Sequence, residues 1–360
     1  MKIIKNPLRG QGLPSFADMA EGHICTDPAG PIGLFARCPI ADKTLLLENT
    51  ALADTLGIAK LHLKDERSRM GLGSFKALGA AYAIAKLADA KVEAGEASNH
   101  QEALAGTTFI CASAGNHGLS MAAGAKLFGA DAVVYLSNTV PEGFAERLRQ
   151  KSARVVREGD TYEASMAAAM AAADENGWNL LSDSSWLGYS EPARDVMEGY
   201  LVMGAEVADQ LDQPPTHIFL QAGVGGLAAA CTAAARHYWG ESPAIIVVEP
   251  EYAPALIDSI EAGKPVVAKG PVSNMGRLDC KEPSHLALKY LAVEADFFMT
   301  ISEEEALNGV AMLSDHGIDT SPSGVAGFAG LLSSNKTLEE LGIDQDSRVL
   351  VYISEGPADE

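Results

Sequence analysis

A glycine-rich stretch, QAGVGGLAAA, has the composition of an anion-binding loop. The apolar run THIFLQ leads into Gly223, Gly225 and Gly226, and an alanine-rich helical pattern follows. Backbone N–H groups at a helix start converge on one point and carry partial positive charge, so they hold phosphates. The spacing also fits G-x-G-x-x-A, with Ala228 in the last place and Glu249 where a ribose-binding acid would lie. Taken alone, the stretch is compatible with a phosphate cup, a nicotinamide dinucleotide site or a purely structural turn.

A single lysine, Lys76, stands in the segment GLGSFKALGAA near a predicted helix start. A cation is unfavourable at that end of a helix, and the neighbouring residues are apolar or small. We therefore expect a lowered pKa for Lys76, and a lysine of that kind can form a Schiff base with a carbonyl compound. The alternative is an ordinary lysine whose stem packs on the surface while its ammonium stays in water.

A second loop of small residues follows the predicted strand TTFICAS and reads Ser113, Ala114, Gly115, Asn116, His117. Its backbone N–H groups could hold a carboxylate at the start of the next helix. The amide of Asn116 could donate a hydrogen bond to a ring oxygen. For His117, a functional role and a satisfied loop histidine are equally compatible with the sequence.

These segments sit in a regular alternation of short apolar runs and helical stretches, which predicts βαβ units and parallel sheets. One alternation runs from TTFICAS to WNLLSDSS, and another runs from THIFLQAG to the final strand RVLVYIS. Two sheets are therefore expected. Residues 1–50 lack steady periodicity and predict a mostly irregular arm packed on the body.

The composition is that of an ordinary globular α/β enzyme. At 360 residues the chain suggests about two folding units, and its formal charge of −21 argues against nucleic acid or anionic membranes as partners. The five cysteines are far apart and include no C-x-x-C pair, which predicts reduced thiols in a cytoplasm and no cysteine metal site. No stretch has the length of a membrane span or the pattern of a signal peptide.

The glycine, lysine and SAGNHG segments, with SPSGVAGFAGL (321–331) and ISEG near the end, resemble the fold-type II pyridoxal phosphate enzymes in content and order. The family includes serine and threonine dehydratases and cysteine synthase. The resemblance implies an α/β fold that binds pyridoxal 5′-phosphate in a cleft between two domains. It also implies that Lys76 is the Schiff-base lysine, that Asn116 contacts the 3′-oxygen of the cofactor and that Ser354 contacts its pyridine nitrogen. The cofactor phosphate would be held by Gly223, Val224, Gly225 and Gly226. The substrate carboxylate would be held by Ser113, Ala114, Gly115, Asn116 and His117.

Further segments, DSSWLGY, VVEPEYA and MGRLDCKEPS, are similar to the diaminopropionate ammonia-lyase branch of that family. This likeness implies elimination of ammonia from a small β-substituted amino acid, with Asp183 as general acid or as a contact to the leaving group. Where that branch carries an aspartate thought to act on D-substrates, this chain has Ala114, so we expect L-substrates. The resemblance also implies a large domain of residues 1–76 and 192–360, an inserted domain of 77–191, and a homodimer.

Besides a non-catalytic binding protein that kept the fold, two other functions remain compatible with the sequence. One is a pyridoxal phosphate-dependent β-replacement synthase. The other is an oxidoreductase that binds a nicotinamide dinucleotide through residues 223–228 and Glu249.

Overall fold

A computed structural model of the chain describes residues 1–113, 115–334 and 338–357. Its strands are β1 Lys2–Lys5, β2 Leu45–Glu48, β3 Lys60–Asp65, β4 Thr108–Ala112, β5 Asp131–Leu136, β6 Arg154–Arg157, β7 Asn179–Leu180, β8 His217–Gln221, β9 Ala244–Pro250, β10 Phe297–Ile301 and β11 Arg348–Ile353. Its helices are α1 Ala29–Phe35, α2 Thr50–Leu56, α3 Ala80–Glu93, α4 Asn116–Leu127, α5 Glu142–Gln150, α6 Tyr162–Asn176, α7 Glu191–Gln210, α8 Gly226–Trp239, α9 Ala255–Ala262, α10 His285–Glu294, α11 Glu303–Ser314, α12 Ala326–Ser333 and α13 Leu338–Leu341. In the described part of the chain, no helix combines the length and the apolar character needed to cross a membrane.

The described strands form two sheets, as the two alternations predict. The larger has seven strands in the order β1-β10-β9-β8-β11-β3-β2, and the smaller has four parallel strands in the order β6-β5-β4-β7. In the larger sheet the inner pairs are parallel, while β1 and β2 pair antiparallel with their neighbours. The expectation of an irregular arm over residues 1–50 is therefore wrong in part, because this segment supplies both edge strands.

The large sheet is buried on both faces. Along β9, Ile245 and Val247 pack into a cluster that includes residues of α7, α8 and α10, while Ile246 and Val248 pack into a second cluster with Phe328 of α12. Alternate residues of a strand point to opposite faces, so a strand covered on both sides must be apolar throughout. Both faces of the large sheet are therefore covered by core residues, and a ligand site is expected at the ends of the strands.

The segments that carry chemistry follow the carboxyl ends of parallel strands. Lys76 comes after β3, Gly223 after β8 and Ser354 after β11, all in the large sheet. Ser113 and Asp183 come after β4 and β7 of the small sheet. Parallel strands end at one edge of their sheet, and ligands of α/β folds bind there.

Candidate active site

Lys76 lies in a short 3-10 turn, Phe75–Leu78, and its ammonium forms an ion pair with a carboxylate. Nζ donates a hydrogen bond to Oδ2 of Asp183, and the two side chains are 21% and 20% exposed. Nζ also lies 5.2 Å from the ring centre of Phe75 and 5.8 Å from that of Tyr200. The structure thus brings together the two residues proposed as catalytic, next to two aromatic rings.

The expected lowering of the Lys76 pKa is wrong where Lys76 is paired with Asp183. Burial disfavours the ammonium, but Asp183 and Tyr200 favour it more strongly, so the pKa of Lys76 is raised. Burial would likewise raise the pKa of Asp183, yet Lys76 holds it well below its usual range. The sequence could not show this, because the two partners are 107 positions apart.

The loop that carries Asp183 folds back on itself. The hydroxyl of Tyr189 accepts a hydrogen bond from Ser182 N at 2.9 Å and donates one to Leu180 O at 3.0 Å. The Tyr189 ring stacks on Trp186 with 4.3 Å between ring centres. These contacts fix the backbone on both sides of Asp183.

Two buried serines connect this loop to the glycine-rich loop. The hydroxyl oxygens of Ser185 and Ser284 lie 2.8 Å apart, and Leu286 N donates to Ser185 Oγ at 2.9 Å. The next link runs from Ser284 N to the carbonyl oxygen of Val224, at 2.9 Å. The position of Asp183 is thereby tied to residues 223–226.

Neighbouring residues pack so closely against Gly223 of the glycine-rich loop that a side chain there would collide with them. A Cβ atom on Gly223 would lie 3.0 Å from Cys280 Sγ and 3.1 Å from Leu278 Cα. Gly225, just before α8, has a φ of +100°, which favours glycine. The first N–H groups of α8 have no carbonyl partner within the helix, so this loop can hold a phosphate.

The loop after β4 is organised by Ser113, whose Oγ accepts hydrogen bonds from Gly115 N and Gly118 N, each at 3.2 Å. Ala114 lies outside the described residues. His117 is buried, and its Nε2 lies 2.8 Å from Leu181 O. Because that carbonyl can only accept, we assign the proton to Nε2. Burial lowers the pKa of His117, so the ring is neutral, and its Nδ1 has no partner among the described residues.

The segment after β11 meets the lysine turn. Ser354 is buried, its carbonyl accepts a hydrogen bond from Phe75 N at 3.0 Å, and no hydrogen bond to its hydroxyl is found in the described parts of the chain. Beside it, the Glu355 carboxylate accepts a hydrogen bond from Asn116 Nδ2 at 2.6 Å. Our sequence reasoning missed Glu355, and it also missed Tyr200. A charged residue inside the ISEG motif was the available signal for Glu355.

Glu249 cannot serve as a ribose ligand. Its carboxylate is fully buried and accepts hydrogen bonds from Leu256 N at 2.7 Å and Ile257 N at 2.8 Å, at the start of α9. Both oxygens are therefore engaged within the protein. Without Glu249 as a ribose ligand, the interpretation of residues 223–228 as a nicotinamide dinucleotide site is no longer supported.

The described residues fit pyridoxal phosphate, because a lysine amine, a glycine-rich loop at a helix start and a serine hydroxyl follow the carboxyl ends of the adjacent strands β3, β8 and β11. A family model described as "Pyridoxal-phosphate dependent enzyme" matches residues 39–355. The chain belongs to this family. Pyridoxal phosphate is therefore its cofactor, and the fold is that of the fold-type II members.

Among curated relatives in the family, the diaminopropionate ammonia-lyase of Salmonella typhimurium is 31% identical over 340 residues, covering 86% of this chain and 84% of the relative. The L-threonine ammonia-lyase of Thermotoga maritima is 24% identical, covering 89% of this chain and 72% of the relative. A crystal structure of the Escherichia coli diaminopropionate ammonia-lyase, in complex with an aminoacrylate-PLP azomethine reaction intermediate, superposes with a TM-score of 0.87 at 27% identity, covering 99% of this chain and 93% of the other.

Proposed function

We propose that this protein is a lyase that eliminates ammonia from a small β-substituted L-amino acid, with L-2,3-diaminopropionate as the leading candidate. In that reaction, diaminopropionate and one water give a 2-oxo acid and two molecules of ammonia. The observation that carries the proposal is the Lys76–Asp183 pair, whose loop is linked to the glycine-rich loop through Ser185 and Ser284. The printed names of the relatives support the same reaction class.

Pyridoxal phosphate, when bound, supplies the electron sink for the electrons left on the α-carbon. Lys76 would hold it covalently, residues 223–226 would hold its phosphate, and Ser354 and Asn116 would contact its ring. A neutral serine hydroxyl can donate to the ring nitrogen without forcing it to be protonated. We assign removal of the α-proton to the freed Lys76 amine, the basic group of the cleft.

We assign to Asp183 the binding of the β-substituent. Burial raises its pKa and the Lys76 ammonium lowers it, and in the pair with Lys76 it is a carboxylate. A carboxylate accepts hydrogen bonds from an ammonium group and favours its charge, whereas it has no proton to give to a leaving hydroxyl. This favours diaminopropionate over serine as substrate.

The residue types near the SAGNHG loop bear on the enantiomer. Ala114 has no acid–base group, so Lys76 is left as the base for the α-proton. We therefore propose that the L-enantiomer is used and that the D-enantiomer is turned over at a much lower rate.

The decisive experiment reduces the purified holoenzyme with borohydride and locates the modified residue by mass spectrometry. We expect the adduct on Lys76, and we expect Lys76→Ala to lose the visible absorption band while Lys126→Ala, a change of an exposed lysine, keeps it. An adduct elsewhere contradicts the assignment of Lys76.

A panel of L- and D-β-substituted amino acids, scored for ammonia and 2-oxo acid, then tests the reaction. Equal rates on both enantiomers of diaminopropionate contradict the role given to Ala114. Sulfide added to the assay distinguishes a β-replacement synthase, because that enzyme would divert product from the 2-oxo acid to a sulfur amino acid.

We further propose a cytoplasmic homodimer with the domain division 1–76 plus 192–360 and 77–191. All five cysteines are free thiols, which supports a reducing compartment. The four strands of the small sheet all lie within 77–191, which supports the division. Light scattering on the purified holoenzyme tests the dimer, and a monomeric mass contradicts it.

A further inference from the structure

Glu355 sits where several active-site segments meet, although the proposed function gives it no task. It follows Ser354 after β11, it is 5% exposed, and an isolated antiparallel bridge joins it to Ser74 in the lysine loop. Its backbone carbonyl accepts a hydrogen bond from Thr320 Oγ1 at 2.6 Å. Burial raises the pKa of Glu355, and the charges of Arg277 and Lys76 oppose that rise.

One carboxylate oxygen of Glu355 controls the amide of Asn116. Oε2 accepts a hydrogen bond from Asn116 Nδ2 at 2.6 Å. An ionised carboxylate only accepts hydrogen bonds, so the nitrogen end of the amide, and not its oxygen, must face Glu355. An amide nitrogen has two hydrogens, and the second stays available for a ligand.

The carboxylate itself is held firmly. Ser321 Oγ donates to Oε1, Arg277 Nη1 lies 3.3 Å from the same oxygen, and Arg277 Nε lies 3.1 Å from Oε2. Ser321 belongs to the SPSGVAG segment and Asn116 to SAGNHG. The contacts of Glu355 thus connect a small-sheet loop to the large sheet.

We propose that Glu355 is a positioning residue that orients the Asn116 amide so that its nitrogen donates to the 3′-oxygen of pyridoxal phosphate. The inference rests on the proposed function, in which Asn116 contacts that oxygen. A hydrogen bond to the 3′-oxygen changes the balance between the protonated forms of the Schiff base, and hence the ratio of its visible to its near-ultraviolet band. The ratio is therefore a readout that a merely structural residue would not change.

The test compares Glu355→Gln with a matched control, Glu249→Gln. Both glutamates are buried near the carboxyl ends of strands of the large sheet, Glu355 after β11 and Glu249 in β9. Glu249, however, accepts hydrogen bonds from the start of α9. We expect Glu355→Gln to change the band ratio, to weaken cofactor binding about tenfold and to lower kcat about tenfold with KM within about twofold. Glu249→Gln should keep the wild-type band ratio.

A double-mutant cycle shows whether Glu355 acts through Asn116. If it does, Asn116→Ala combined with Glu355→Gln behaves like Asn116→Ala alone. The proposal is overturned if the fold-changes of the two single variants multiply in the double variant. It is also overturned if Glu355→Gln keeps the wild-type band ratio. If Glu355→Gln does not fold, Ser321→Ala removes one contact to Oε1 and should shift the ratio in the same direction; no shift overturns it. A wild-type protein without an adduct on Lys76 refutes the proposed function instead.

Discussion

At the scale of single residues, Lys76 and Asp183 each determine the protonation state of the other. The two charges stabilise each other in a partly desolvated place, where removal of one partner leaves the other uncompensated. The pair therefore favours the protonated amine of Lys76 and the ionised carboxylate of Asp183.

We predict that Asp183→Asn destabilises the cofactor-free protein by about 2 kcal/mol at pH 7, less than for a fully buried pair because both side chains are one-fifth exposed. Folding lowers the pKa of Asp183 and raises that of Lys76, so the contribution is complete between about pH 4 and pH 10. It is lost as the pH falls through the depressed pKa of Asp183.

Urea unfolding of the wild-type protein and of Asp183→Asn, at pH 7 and at lower pH, measures the difference between their free energies of unfolding. This difference should become smaller as the pH is lowered. Asp195→Asn is the control, because Asp195 pairs with Lys86, whose side chain is 40% exposed. The prediction is contradicted if Asp183→Asn lowers the free energy of unfolding by no more than Asp195→Asn does.

We also predict that Gly223→Ala weakens binding of pyridoxal phosphate about tenfold or more, because the new methyl group presses on Cys280 and on the Leu278 backbone and displaces the cradle. Gly276→Ala is the matched control, since a Cβ there meets nothing within 4 Å. Cofactor titration followed by absorbance compares them. Equal affinities for the two variants would remove the argument for a tight cradle.

At the scale of elements, the Ser185–Ser284 contact joins the loop after β7 to the start of α10. We predict that Ser284→Ala lowers kcat severalfold and costs about 1 kcal/mol of stability, because the N–H and the hydroxyl of Ser185 both lose their contact with Ser284 Oγ and the Asp183 loop loosens. Ser259→Ala removes an equally buried hydroxyl in α9, bonded to Ala255 O, and should cost similar stability with unchanged kcat. Steady-state kinetics and thermal unfolding of both variants test this.

Elements defined by local patterns could be predicted from the sequence. Helix α4 begins at Asn116, in the loop that is expected to lead into a helix, and α8 begins at Gly226, where the alanine-rich helical pattern starts. Strands β1 and β2 were not predicted, because each has only four residues and gains its place by pairing with an edge of the large sheet. That partnership is a long-range contact that periodicity does not encode.

The same limit applies to the site. Lys76 and the glycine loop carry a recognisable composition within a few positions, so the sequence indicates them. Glu355 meets Asn116 across 239 positions, and its importance depends on which strand ends lie side by side. The raised pKa of Lys76 escaped prediction for the same reason.

At the scale of the whole molecule, buried acids make stability depend on pH. Burial raises the pKa of Glu249 to about 8 from an ordinary value of 4.5, although two backbone N–H groups oppose this. The unfolded chain releases this proton at lower pH than the folded chain, so stability falls as the pH rises from about 4.5 to 8. We predict that Glu249→Gln flattens this part of the profile, as measured by unfolding at several pH values. An unchanged slope would contradict the prediction.

The position of β11 has a consequence for biosynthesis. This strand lies between β3 and β8, yet the ribosome makes it after both of them. During translation the small sheet can be complete while the large sheet is still in two separate pieces with unpaired edges. Because Ser354 and Glu355 follow that strand, we expect the cofactor site to be complete only after β11 has inserted between β3 and β8.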